Sequence, residues 1–154
     1  MFYVVIDLEM CKVPRDYRSK SYKYASETIQ IGAVLLDDSF KRIGTLCQYV
    51  HPEHGVIDYF IENLTGIKNS RVKKAPKLEE ALTHMIDWLG ERDYKIYAWS
   101  GSDRDQLLHE IKAKKMTDER IHTFMADEKW IDYQDVFTKR FELSRQLSLE
   151  EALG

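Results

Sequence analysis

The chain has 154 residues, of which 44% are hydrophobic and 32% charged, with a formal net charge of −3. That balance excludes a disordered polyelectrolyte and gives no global attraction for nucleic acid, so any polyanion site has to be a local patch. No apolar run approaches membrane-spanning length and no secretory-signal pattern opens the sequence; the expectation is one cytoplasmic domain over 1–154 with no membrane partner.

The first stretch is Phe2-Tyr3-Val4-Val5-Ile6-Asp7-Leu8-Glu9. A short apolar run of this kind predicts a strand buried on both faces in the middle of a sheet. Side chains alternate along a strand, so Asp7 and Glu9 point to the same side. Two like charges side by side are costly to bury unless they meet water or a cation, and carboxylate oxygens suit magnesium or manganese. The stretch that follows, Lys12 to Ser26, interleaves Lys12, Arg15, Arg18, Lys20 and Lys23 with Tyr17, Tyr22 and Tyr24. Cations beside aromatics suit phosphate contact and base stacking, although a solvated loop has the same composition. Cys11 and Cys47 have no metal-type spacing and are expected as free thiols.

Residues 27–37 predict a second strand and 41–50 a third, with Ile43, Leu46 and Tyr49 packing; short connections make the first three strands an antiparallel meander. Ile57, Phe60, Ile61 and Leu64 recur at helical spacing before Thr65-Gly66-Ile67, and Gly66 is a natural helix stop. Basic residues gather at Lys68, Arg71, Lys73, Lys74 and Lys77, and Pro76 opens an amphipathic helix with Leu78, Ala81, Leu82, Met85, Ile86 and Leu89 inward. His84 lies beside that stripe as a partly exposed helix residue. A fourth strand spans 95–99. Ser102 and Asp105 then match a capping box that starts a helix with Leu107, Leu108 and Ile111 inward. Asp103 in its first turn complements the helix dipole, and also stands where a third metal carboxylate would sit, at a strand–helix junction. Residues 116–129 carry only a weak pattern. Trp130 to Tyr133 reads as a fifth strand, Val136 to Phe141 as a short helix, and Ser148-Leu149-Glu150-Glu151 as another capping box.

The order of these pieces resembles the DnaQ-like, DEDD-type 3′–5′ exonucleases. The resemblance rests on Asp7-Leu8-Glu9, Gln30-Ile31-Gly32-Ala33, Leu64-Thr65-Gly66-Ile67 and Trp99-Ser100-Gly101-Ser102-Asp103 leading to Leu107, and it covers nearly the whole chain. Within them the chain is most similar to the small stand-alone group that includes the sporulation inhibitor KapD and the histone-mRNA exonuclease relatives, where a tryptophan precedes the second-motif aspartate at a similar spacing. The resemblance implies an α/β, RNase H-like fold: a five-stranded mixed sheet flanked by helices. It implies two bound ions, Mg2+ or Mn2+, held by four acids, of which Asp7, Glu9 and Asp103 match three. Asp105 competes for the third place, but only Asp103 has the tryptophan four before and the leucine four after. Asp7 would bridge both ions, Glu9 would hold the ion carrying the attacking water and Asp103 the other. Leu8 and Met10 would offer backbone contacts to the terminal nucleotide, and Thr65, Gly66 and Ile67 would line the pocket for the 3′ end of single-stranded RNA or DNA.

The DEDDh subfamily also uses a histidine general base and a fourth aspartate, on a helix beyond the segment that Ser148 to Leu153 resembles. None of His51, His54, His84, His109 and His122 matches that position and no aspartate follows Asp135. The expectation is therefore a domain lacking its C-terminal motif, with an apparently truncated last helix and weak or no activity by itself. The alternative is a non-catalytic module on the same fold that binds nucleic acid or protein.

Overall fold

The computed structural model describes residues 1–154. Five strands, β1 (Phe2–Lys12), β2 (Ser26–Leu36), β3 (Arg42–Tyr49), β4 (Tyr94–Ala98) and β5 (Trp130–Asp132), form one sheet in the order β3-β2-β1-β4-β5. The β1–β2 and β2–β3 pairs are antiparallel, and the β1–β4 and β4–β5 pairs are parallel. The helices are α1 (Tyr59–Thr65), α2 (Asn69–Val72), α3 (Leu78–Leu89), α4 (Ser102–Ala113), α5 (Glu119–Phe124), α6 (Tyr133–Arg140) and α7 (Leu149–Leu153). This is the five-stranded, mixed, helix-flanked α/β sheet that the resemblance implies. No helix is long and apolar enough to cross a membrane.

The hydrophobic effect acts mainly on one face. Val4, Ile6 and Leu8 of β1, Ile31, Ala33 and Leu35 of β2, and Ile96 and Ala98 of β4 meet Leu82, Met85 and Leu89 of α3, Leu107 and Ile111 of α4, and Ile121 and Phe124 of α5. A second, smaller cluster joins Cys11 and Ile29 to Ile57, Ile61, Ile67 and Val72 around α1 and α2. Both cysteines are free thiols, Cys11 buried and Cys47 exposed. Asp37 closes the β2–β3 turn, where its carboxylate accepts the N–H groups of Ser39 and Lys41, both at 2.9 Å.

Four sequence expectations are corrected. β1 is central but not buried on both faces: Val5 is 44% exposed, because β1's outer side opens onto a groove rather than a second layer. The strand also runs past Glu9 to Lys12, with a bulge between Glu9 and Met10. Ile43 does not pack; it is 46% exposed on edge strand β3, where the core face ends. Ser102 does not cap α4. Gly101 occupies the cap position without a side-chain bond, and the Ser102 hydroxyl pairs with that of Ser100 at 2.6 Å. By contrast, the capping box at Ser148 and Glu151 is present at α7, with both reciprocal bonds formed.

Leu82 is fully buried at the centre of the α3 face. Leu82→Ala is expected to cost about 2–5 kcal/mol and Ile43→Ala no more than about 0.5 kcal/mol, read as the difference in urea midpoint at constant slope.

Candidate active site

β1 and β4 stay paired for only four residues, from Phe2↔Tyr94 to Val5↔Tyr97. Beyond Val5, β1 continues alongside β2, while β4 ends at Ala98 and the chain turns into α4. The crevice so formed lies at the carboxyl end of a parallel pair, the usual place for a site in an open α/β sheet. Asp7 and Glu9 stand on β1 just past the last β1–β4 pair, and Asp103 stands in the first turn of α4.

The electrostatics show that the three share one environment. Asp103 is only 8% exposed. Its pKa is pushed from the ordinary 3.8 to about 7, first by burial and then by the charges of Asp7 and Glu9. Glu9 is raised by burial and by Asp7. Asp7 is raised by burial, which outweighs the Leu8 backbone N–H. No ammonium or guanidinium offsets any of them. Three carboxylates that disfavour one another's ionisation, with no cation of the protein beside them, form an acceptor-only oxygen set suited to a hard divalent ion. The donor chemistry fits Mg2+ or Mn2+, while the spacing is open: no three His, Cys, Asp or Glu side chains converge into a ready-made cage.

The remaining expected site residues are placed as follows. The Leu8 side chain is buried in the core, so only its backbone is free to meet a ligand, and Met10 is half-buried. Thr65 finishes α1: its hydroxyl donates to the Ile61 carbonyl at 2.8 Å and accepts the Ile67 N–H at 3.1 Å. Gly66 follows with φ +75°, the left-handed conformation that ends the helix. The Ile67 side chain is buried in the second cluster and cannot face a nucleotide.

Two of the three tyrosines of the basic loop serve the fold instead of a ligand. Tyr22 is fully buried, its hydroxyl donates to the Ser26 carbonyl at 2.6 Å, and its ring stacks on His54 at 4.5 Å. Tyr24 stacks on His109 at 4.4 Å. Tyr17 stays exposed, and α1 adds further open apolar surface: Phe60 is 58% and Leu64 69% exposed and Tyr59 is more open still. Lys12 lies over the Phe60 ring at 4.5 Å. Helical spacing marks Phe60 and Leu64 as apolar without saying which side of α1 meets the core; the inward residue is Ile61.

The other histidines are also engaged away from the carboxylates. His51 bonds the Val72 carbonyl, His84 sits 3.7 Å from Glu80, and His122 bonds the Met116 carbonyl. Trp99 acts as a strut, its indole N–H donating to the Leu147 carbonyl at 3.2 Å. An apolar groove of about 740 Å³ runs from Asp7 past Tyr3, Tyr97 and Trp99 to Phe137 and α7.

A family model described as "Exonuclease" matches residues 4–152. No curated protein matches the sequence significantly. Among solved structures, the chain is similar to a 3′-exonuclease solved in 3′-end-specific recognition of the histone mRNA stem-loop, with TM-score 0.73 and 19% identity over 92% of this chain and 49% of that one. It is also similar to cell-death related nuclease 4, with TM-score 0.71 and 17% identity over 96% of this chain and 50% of that one. Exonuclease I of E. coli in complex with a dT13 oligonucleotide gives TM-score 0.63 and 17% identity over 93% of this chain and 30% of that one. At these identities the likeness is one of fold, and the chain spans half or less of each of these structures.

The raised Asp103 has a thermodynamic consequence. Its folded-state pKa lies above the unfolded one, so the folded protein holds a proton that the unfolded chain releases, and stability falls as pH rises from about 4 to about 7. In a chelating buffer, Asp103→Asn is expected to be more stable than the parent by about 1–3 kcal/mol at pH 8. The difference should shrink toward pH 4, followed by thermal melts across the range.

Proposed function

This chain belongs to the exonuclease family, within the DnaQ-like 3′–5′ exonuclease superfamily, and on that premise we propose that it is a divalent-metal-dependent domain acting on the 3′ end of single-stranded RNA or DNA. The observation that carries this reading is the uncompensated carboxylate set Asp7, Glu9 and Asp103 at the crevice between β1 and β4. These three residues would hold Mg2+ or Mn2+, two ions in the full arrangement. When bound, the ions stabilise the charge on the attacking and leaving oxygens of an in-line displacement at phosphorus.

The chain's own residues do the rest. The strand at Leu8 and Met10 presents backbone to the terminal nucleotide. Thr65 and Gly66, at the end of α1, shape the floor beside it. Phe60, exposed and paired with Lys12, offers a face for one base and a cation for its phosphate. Lys68, Arg71 and Lys73 extend the positive surface beyond α1. Proton removal from water is the weak step: with all five histidines engaged elsewhere, no imidazole of this chain serves as base, a contribution often worth a factor of about 10²–10⁴. Hydrolysis by this chain alone is accordingly slow.

A second reading, a non-catalytic module that binds nucleic acid or protein on the same fold, is favoured by the open spacing of the carboxylates and the engaged histidines. The two separate in one experiment. A 5′-labelled single-stranded oligonucleotide incubated with Mn2+ is expected to shorten slowly from its 3′ end, and Asp7→Ala or chelator to stop it. Binding with no Asp7-dependent shortening at any enzyme concentration favours the module. Phe60→Ala is expected to weaken oligonucleotide binding about tenfold, in keeping with one lost base–aromatic stack, with the melting temperature unchanged because the ring is exposed.

A further inference from the structure

Asp103 has no tether of its own: no ion pair or side-chain hydrogen bond fixes its carboxylate, so its place is inherited from α4. Along that helix, Gln106, Glu110 and Lys114 follow Asp103 at spacings of three and four, on the same stripe. All three reach the start of β2. Gln106 accepts the Ser26 hydroxyl at 2.7 Å and donates to the Ser26 carbonyl at 3.1 Å and to Glu110 at 2.9 Å. Glu110 accepts both the N–H and the hydroxyl of Thr28, at 3.0 and 2.6 Å. Lys114 donates to Glu27 at 2.7 Å and to Glu110 at 2.9 Å.

The receiving segment pairs directly with the end of β1. Ser26, Glu27 and Thr28 lie opposite Lys12, Cys11 and Met10, the residues right after Glu9. Glu27 also accepts the N–H groups of Glu53, His54 and Gly55, at 2.7–2.8 Å. That loop sits so close to β1 that a Cβ on Gly55 would lie 2.5 Å from the Cys11 sulfur. One buried node therefore links α4, the end of β1 and the loop that leads into α1.

Stability alone is a poor account of such a node. Buried ion pairs repay their desolvation only in good geometry, and apolar replacements are often as stable. Directional bonds do what apolar contact cannot: they stop α4 from sliding along or turning about its own axis. We propose that Gln106, backed by Glu110 and Lys114, is a positioning residue that sets the register of α4 and thereby places Asp103 against Asp7 and Glu9 for a shared divalent cation. The inference rests on the metal reading above.

The test is a cycle read by Mn2+ calorimetry on the full chain: parent, Gln106→Met, Asp103→Asn and the double variant, each checked for folding by its melt. Gln106→Met is expected to weaken Mn2+ binding about tenfold, the usual cost of losing a group that orients a ligand, and to have no further effect once Asp103 is Asn. Thr28→Val, which removes one hydroxyl without changing shape, should weaken binding in the same direction. Unchanged Mn2+ affinity in Gln106→Met, with or without a lower melting temperature, overturns the proposal. So does an equal loss in the Asp103→Asn background. A parent chain that binds no Mn2+ overturns the metal reading itself, and this inference with it.

Discussion

The length over which β1 can pair with its two neighbours governs the site. On one side β2 follows β1 to its last residue, Lys12; on the other, β4 follows for four residues and stops. The unequal partnership opens a crevice in the middle of the sheet without breaking it, since β1 remains held by β2. Into that crevice the alternation of β1 sends Asp7 and Glu9, while Val4, Ile6 and Leu8 anchor the same strand to α3 and α4 on the other face. The short β4 does a second job by delivering the chain at once into α4, so that Asp103 arrives in the first turn. A longer β4 would cover the carboxylates with backbone and carry α4 away from them.

The protein holds two groups of acids, one fully buried and one that runs from buried Asp103 through half-buried Glu9 to exposed Asp7, and treats them in opposite ways. Behind the crevice, Glu27 and Glu110 are fully buried, yet Lys114 and a set of N–H and hydroxyl donors satisfy them. Burial pushes the Glu27 pKa up, but Lys114 and the donors from 53–55 pull it further down, so it stays ionised. In the crevice, Asp7, Glu9 and Asp103 have burial and one another, and no cation to offset either; only the Leu8 backbone N–H acts the other way, at Asp7. The chain had lysine and backbone donors available within the same end of the fold and spent them on the supporting group. An acid set left uncompensated beside one that is fully compensated is what a site for an external cation requires.

Much of this was legible in the sequence because it depends on local patterns. The apolar run of β1 and its alternating acids, the 3.6-residue stripe of α3, and the strand–turn–helix passage at Trp99 to Leu107 all announce themselves within a dozen residues. What was not legible depends on contacts far apart in the chain. Glu27, Gln106, Glu110 and Lys114 look like ordinary surface residues until residues some eighty positions apart are brought together. Spacing marks Phe60 and Leu64 as apolar positions of α1 but cannot tell which side of so short a helix meets the core. The Ser102 cap failed for a local reason that the sequence also hides: the helix starts one residue earlier, and the Asp105 N–H goes to the Gly101 carbonyl at 3.1 Å instead of the Ser102 hydroxyl.

The aromatic residues show how far composition can mislead about a charged surface. Tyrosines among lysines and arginines in 12–26 have the makeup of a stacking platform, yet two of the three are held by His54 and His109, and only Tyr17 is left exposed. Stacking the loop's own rings on histidine ties a long excursion between β1 and β2 to α4 and to the 53–55 loop. Of the loop's cations, Arg18 is held next to the end of β1, where it donates to the Val13 carbonyl at 3.1 Å. Open aromatic surface also stands on α1, where Phe60 keeps one cation, Lys12, on its face. In a chain whose net charge is −3, attraction for a polyanion has to come from such fixed, local pairs of ring and cation rather than from the field of the whole molecule. The nearer such a pair lies to the uncompensated acids, the more the acids repel a phosphate that the cation attracts. A divalent ion on Asp7 and Glu9, as proposed above, would reverse that repulsion, and metal binding and strand binding would then be coupled by electrostatics before any chemistry begins.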